Sequence, residues 1–298
     1  MLEMLGKTSI DFMGKRYYAF ALSALLMLAG IVGFVQIVRG QANLGIDFSG
    51  GTAVQLHFEK PVPVGEARAA LTAAGLADAE IQELVSSNAL LIRIKRQTTI
   101  EEKSAGRIAS LLGAKFPDNP LTIEQSTEIG PTVGSELRDK AVQAVVIALV
   151  GIMIYIALRF EFRFGVSAAI GTLHDVLAVL GIFYLLDKEI TLLIVTALLT
   201  LGGYSLTDKV VIFDRIRENL RRRRQEGMGQ VINASINQVL SRTVIVSLTV
   251  FLSVLAIYLW GGDVLHDFSL AMLLGVIVGT YSSIFVASPL LMIWRKAK

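Results

Sequence analysis

The sequence has no cysteine, which excludes disulfides, thiolate nucleophiles and zinc or iron–sulfur centres built on thiolates. That absence is compatible with either redox side of a membrane. Histidine is nearly as scarce, with three in 298 residues. His57, in the strand-like stretch VQLHF, has no second histidine or carboxylate cluster nearby, so no metal site is expected. Nucleotide and acyl-transfer signatures are missing too. GKTS at Gly6 to Ser9 has no glycine five positions earlier and no preceding strand, so the phosphate loop fails. GMGQVI at 227 to 232 lacks the third glycine of a dinucleotide fingerprint, and no G-x-S-x-G elbow occurs. No enzymatic chemistry and no cofactor are expected, and energy for any work must come from a partner or the membrane.

Charge is also in short supply. Only 18% of residues are charged against 53% hydrophobic, and the mean hydropathy is +0.61, too apolar for an ordinary soluble domain. Six runs are long enough to cross a hydrocarbon core as helices: about 17–38, 141–158, 165–186, 190–213, 243–260 and 268–294. The chain reads as an α-helical polytopic membrane protein. Its first run follows basic residues but has no cleavage signature, and reads as a retained span.

Lys7, Lys15, Arg16, Arg159, Arg163, Arg215, Arg217, Arg221 to Arg224, Arg295, Lys296 and Lys298 fall on one side of these spans, whereas the loops at 187–189 and 261–267 offer only Lys188. Both termini are therefore expected in the cytoplasm. Beside a span, the run of four arginines is a positive-inside anchor on the lipid surface, not a nucleic-acid site.

Proline is rare and localised: five of six lie between residues 61 and 131. Here strand-like and helical stretches alternate as β-α-β-β-α-β, the order of a ferredoxin-like fold. The expected organisation is a terminus and first span (1–38), an extracytoplasmic ferredoxin-like domain (39–137) and a five-helix membrane domain (138–298). Gly50 and Gly51 on one side, and Gly130, Pro131 and Gly134 on the other, are the expected hinges.

Ionisable residues inside spans are expensive and mark pairs, wet paths or ion carriers. His174 and Asp175 fall in the third span, where an interhelical hydrogen bond and a proton path are both open readings. In the fourth, Gly202 and Gly203 are expected to break the helix. Beyond them Tyr204 and Ser205 share a face with Asp208. Arg242, opening the fifth span, is the expected counter-charge of Asp208. Lys209 snorkels to the headgroups, turns away from Asp208, being 100° around the helix from it, or acts on Asp208 and changes the coupling. Gly275 and Gly279 form a G-x-x-x-G packing stripe in the sixth span.

Five stretches, GIDFSGGTAVQL (45–56), IGPTVGSEL (129–137), IYIALRFEFRFGVSAAIGTLHDVL (154–177), GYSLTDKVVIFDRIREN (203–219) and NQVLSRTVIVSLT (237–249), resemble the SecD/SecF family of the resistance-nodulation-division superfamily. The resemblance is to its SecF side and implies a multi-pass protein of the bacterial inner membrane. It implies work with SecD, driven by the proton-motive force, to draw an unfolded translocating polypeptide from the SecYEG channel, with YajC and YidC as further partners. The coupling ion is H⁺ or Na⁺. The family's functional aspartate and arginine fall on Asp208 and Arg242. One departure stands out: the family pattern reads Asn-Asp-Ser or Asn-Asp-Thr where this chain has Thr207, Asp208, Lys209. The alternatives are half of a small-molecule exporter and a purely structural subunit.

Overall fold

The computed structural model describes residues 8–84, 88–95, 104–159, 161–223 and 225–293. Part of the SSN turn, Arg224, Trp294 and the C-terminal basic residues lie outside the described residues. Among the described residues, six helices are long and apolar enough to cross a membrane. The chain divides into a helical unit (through Ala42, Gln143–Lys188 and from Leu193 onward) and a sheet-bearing unit (Asn43–Val142 with Glu189–Leu192).

In the sheet-bearing unit, a short helix α2 (Ile46–Ser49) leads into β1 (Gly51–Phe58), α3 (Val64–Ala73), β2 (Glu80–Leu84), β3 (Ala89–Lys95), α4 (Ser104–Lys115) and β4 (Leu121–Ile129). The strands lie in the order β2-β3-β1-β4, and every neighbouring pair is antiparallel. Period-two alternation sets the buried face of β1: Thr52, Val54, Leu56 and Phe58 are buried, while Ala53, Gln55 and His57 are only half-buried. Ala67 and Leu71 of α3, and Ile108 and Leu112 of α4, are nearly or fully buried against that face. Each pair is spaced i, i+4, which puts both residues on one side of a helix. Leu71, Ile108 and Leu112 each contribute about 1.5–3 kcal/mol on burial. A one-residue slip in the β1–β4 register, between Gln55 and Leu56, leaves Glu124 unpaired. Its carboxylate accepts from Gln55 Nε2 at 2.6 Å and stands 3.8 Å from His57 Nδ1.

Glu189–Leu192 joins this unit as a strap. Leu44 and Ile190 form a parallel bridge; Gly45 N donates to the Ile190 carbonyl at 2.9 Å and Ile190 N to the Asn43 carbonyl at 2.8 Å. Leu192 N donates to Asp47 Oδ2 at 2.9 Å, and Arg93 Nη1 is 3.6 Å from Glu189 Oε2. Burial pushes the Glu189 carboxyl above its ordinary range, against the pull of Arg93.

The two glycine-bearing connections meet inside the same unit. Gly50 has φ of +72°, which favours glycine, and a Cβ there would stand 2.9 Å from Pro131 Cα. A Cβ on Gly134 would stand 2.7 Å from Gly50 N. These residues need glycine because two backbones touch.

The helical unit contains α1 (Arg16–Val38), most of α5 (Pro131–Arg159), α6 (Phe162–Leu185), α7 (Leu192–Arg222), α8 (Met228–Trp260) and α9 (Asp263–Ser282). A π turn over Ser283–Ala287 follows, then a last short helix α10 (Ser288–Leu290). About two-thirds of the apolar windows of α6 and α9 (67% each) and 56% of that of α7 are buried, against 17%, 11% and 11% for α1, α5 and α8. Helices α6, α7 and α9 are therefore the centre, and the other three present apolar flanks outward. Lipid supplies no hydrophobic drive between helices, so close contact has to come from small residues. A Cβ on Gly181 of α6 would stand 2.6 Å from Gly30 N of α1, and a Cβ on Gly275 of α9 would stand 2.5 Å from Leu201 Cδ1 of α7.

Three helices extend past the apolar windows. Helix α5 begins at Pro131, whose missing N–H is harmless in a first turn, ten residues before the apolar run starts at 141. Helices α7 and α8 run on as an amphipathic pair with Ile216 and Asn219 facing Val231, Ile232, Ser235 and Ile236, all buried. Asn219 Nδ2 donates to Ser235 Oγ at 2.9 Å and to Gln238 Oε1 at 2.7 Å. The segment before α1 lies along α8: Phe12 N and Met13 N both donate to Asn233 Oδ1 at 3.0 Å, and Ile10 N to Asn237 Oδ1 at 3.0 Å.

Candidate functional site

Helix α7 carries two polar clusters on adjacent faces, because Asp208 and Lys209 differ by 100° around the helix. Asp208 is 4% exposed and faces α8 and α9. Ser247 of α8 donates its hydroxyl to Asp208 Oδ2 at 3.2 Å. Thr280 of α9 donates in turn to Ser247 Oγ at 2.7 Å. Among the described residues this carboxylate has hydroxyl support and no ion pair.

The second cluster lies between α7 and α6 and is fully buried. Lys209 Nζ is 2.6 Å from Asp175 Oδ2. It also donates to Ser205 Oγ and approaches the Ser205 carbonyl at 3.4 Å. Ser205 Oγ donates to the same carboxylate oxygen of Asp175, and His174 Nδ1 lies 2.9 Å from the other. With a hydrogen on Nδ1, His174 donates to Asp175, and its buried Nε2 has no hydrogen-bond partner among the described residues. Gly171 makes this arrangement fit: a Cβ there would stand 2.5 Å from Lys209 Cε and 3.0 Å from Ala287 Cβ.

Several expectations change on this geometry. Arg242 does not pair with Asp208: it is exposed, and among the described residues no ion pair joins the two. The helix explains why. Ser247 is the residue of α8 that reaches Asp208, and Arg242, five positions earlier, points about 140° away around the axis. Lys209 does not snorkel; of the expected alternatives it turns away from Asp208, since Asp175 on the neighbouring helix takes its ammonium. Gly202 and Gly203 do not break α7, which is continuous through them. Gly202 is instead buried against Ile152, Thr172 and Val176. Tyr204 is half-buried and its hydroxyl has no partner among the described residues. Gly275 and Gly279 pack inside the bundle, on Leu201 and Ser205 of α7.

Ser247, Thr280 and Gly171 were not singled out from the sequence. Hydroxyls in an apolar helix ordinarily bond their own backbone, so only the α8–α9 pairing reveals their reach. Gly171 had a faint signal, lying four residues before Asp175 on one helical stripe.

Comparison with known proteins gives this arrangement a family. The model "Protein export membrane protein SecD/SecF, C-terminal" matches residues 113–297, and "SecD/SecF GG Motif" matches residues 42–62. Protein translocase subunit SecF of Thermodesulfovibrio yellowstonii is 50% identical over 299 residues, covering 99% of this chain and 98% of that one. The SecF subunit of Endomicrobium trichonymphae is 42% identical, covering 96% and 91%. The crystal structure of SecDF, a translocon-associated membrane protein from Thermus thermophilus, superposes with a TM-score of 0.81 at 37% identity, over 96% of this chain and 39% of that one. SecDF in its super-membrane-facing form gives 0.72 at 38% identity, over 97% and 39%. This chain therefore spans about two-fifths of the SecDF chains it matches. With a family model over more than half its length and full-length SecF relatives at up to half identity, the chain belongs to the SecD/SecF family of protein-export membrane proteins, among the SecF translocase subunits.

Proposed function

We propose that, as an auxiliary subunit of Sec-dependent protein export, this chain couples export to ion entry at Asp208. The observation that carries the reading is that Asp208 is buried in an apolar bundle with hydroxyl support and, among the described residues, no ion pair. Thr280, Ser247 and Asp208, from α9, α8 and α7, form a line of exchangeable groups, and a proton arriving at the carboxylate would alter both contacts. Desolvated carboxylates with hydroxyl neighbours are suited to such exchange. The proton is the proposed coupling ion, driven by the proton-motive force.

The remaining parts of the reading follow from placement. The strand order β2-β3-β1-β4 with helices α3 and α4 on one face supports a ferredoxin-like domain. The bias of arginine and lysine supports cytoplasmic termini and an outer-side position for that domain at the inner membrane. There it would contact the emerging unfolded polypeptide, with the Gly50–Gly134 contact as its pivot. SecD is the proposed partner, since the matched SecDF chains carry further sequence beyond the part this chain covers. SecYEG, YajC and YidC are proposed neighbours in the export assembly.

The test is export into vesicles holding this chain with SecD, with and without an imposed proton gradient. Gradient-stimulated export should vanish in Asp208→Asn while assembly persists. Retained stimulation would leave this chain a structural subunit. The buried Asp175–Lys209 pair favours that role for its own part of the bundle, where the carboxylate already has its ammonium.

A further inference from the structure

The ammonium of Lys209 sits where a small cation would. Three oxygens surround it: a carboxylate oxygen of Asp175, and the hydroxyl and carbonyl of Ser205. A carboxylate, a hydroxyl and a helix carbonyl converging in a dry interior are the hard oxygen ligands that take the place of water around a metal cation. Two more buried hydroxyls, Ser167 and Thr172 of α6, have no partner among the described residues. Ser167 lies on the stripe of Gly171 and Asp175 at i, i+4, i+8, and Thr172 lies three residues before Asp175.

We infer that Lys209 is a tethered cation: its ammonium fills an oxygen-lined seat that would otherwise take a desolvated monovalent metal ion. Two independent features point this way. The Lys209 side chain is wholly buried, so its charge is committed to the seat and does not sample the headgroups. The channel for its stem exists only because position 171 is glycine, since a Cβ there would collide with the lysine's Cε. The titratable groups near the seat, besides Lys209 itself, are Asp175 and His174 from α6 and Asp208 from α7. An ammonium or a metal ion balances the Asp175 carboxylate equally. The chain is thus made indifferent to sodium and potassium at this place, and Lys209 is a specificity-determining residue. The inference concerns occupancy of the seat and stands whether or not export is coupled to an ion gradient.

The experiment measures unfolding midpoints of the full chain in detergent, at constant ionic strength, in sodium chloride, potassium chloride and N-methylglucamine chloride. The unsubstituted chain should unfold at the same midpoint in all three. Lys209→Thr empties both stem channel and seat. Lys209→Met keeps the stem packed against Gly171 and vacates only the ammonium position, so one variant remains informative where the other fails to fold. Each folded variant should show a saturable rise in midpoint with sodium or potassium over N-methylglucamine, and Asp175→Asn added to Lys209→Met should abolish it. No metal-ion dependence in either variant overturns the inference, as does a rise of the same size in the unsubstituted chain.

Discussion

Lys209 follows Asp208 in the chain, yet its ammonium lies 2.6 Å from Asp175 on another helix. The α-helix alone permits this, since one residue is a 100° turn. The two neighbours consequently serve different faces of α7: Lys209 closes a neutral pair with Asp175, and Asp208 is left to hydroxyls.

Breaking that pair should be costly. Lys209→Ala leaves Asp175 buried without a counter-charge, and removing one partner of a buried pair typically costs about 3–5 kcal/mol. In metal-free N-methylglucamine buffer, denaturant unfolding should show a loss of that order. Asp175→Asn with Lys209→Met removes both charges and should recover most of it. A double substitution as unstable as the single one would show that the loss comes from packing.

The Asp208 cluster should respond differently. Ser247→Ala removes one hydrogen bond to a carboxylate, worth about 1.5–3 kcal/mol for a charged acceptor, and should slow gradient-stimulated export without abolishing it. Asp208→Asn should abolish the stimulation with a smaller effect on stability. Equal export rates for Ser247→Ala and the unsubstituted chain would remove the hydroxyl from the path.

Arg242 is exposed on α8, so Arg242→Met should leave the unfolding midpoint of the isolated chain unchanged and lose gradient-stimulated export when SecD is present. A lowered midpoint in the isolated chain would mean that the guanidinium is held within this subunit.

In these contrasts the reach and the limits of the sequence become visible. Uninterrupted apolar runs locate the spans, because each must satisfy its backbone internally in lipid. Period two in VQLHF and period 3.6 in ASLLGAKF place strand and helix in the sheet-bearing unit. Sequence also marks Asp175, Asp208 and Lys209, since any charge at membrane depth is conspicuous. It does not carry the partners. Arg242 suits Asp208 by depth and sign, but depth says nothing about azimuth, and azimuth decides that Ser247 makes the contact. Likewise Gly202 and Gly203 read as a break because their propensity is low, whereas the bundle packs around Gly202 and the helix runs on through the exposed Gly203.

Gly275→Ala tests packing at the α7–α9 crossing. The new methyl would lie 2.5 Å from Leu201 Cδ1, an overpacking that typically costs about 1–3 kcal/mol. Combining it with Leu201→Ala should restore part of the loss. Gly279→Ala should be milder, because its methyl would meet Ser205 Cβ at 3.4 Å. Equal losses at the two positions would contradict this crossing.

The strap carries a pH signature. Burial raises the Glu189 pKa from 4.5, so its neutral form is favoured in the folded state. The stabilisation is fully present below the unfolded value and is lost as pH rises through the folded one. After correction for intrinsic rates, hydrogen exchange at the Gly45, Ile190 and Leu192 amides should quicken as pH rises through that window. Glu189→Gln should flatten the dependence. An unchanged profile in Glu189→Gln would assign the effect to another group.

The π turn at Ser283–Ala287 gives the last span a counting rule. One surplus residue re-phases the helix: Gly275 and Gly279 address α7 upstream of it, and Ala287 lies beside Gly171 of α6 downstream. Deleting a single residue within the turn would leave an ordinary, equally apolar helix, yet swing Ala287 by about 100° from the wall of the lysine channel. An outward-facing span such as α1 tolerates register errors on its lipid side, where every direction is hydrocarbon. In this helix the number of residues between Gly279 and Ala287 is itself a constraint, one that a hydropathy profile does not register.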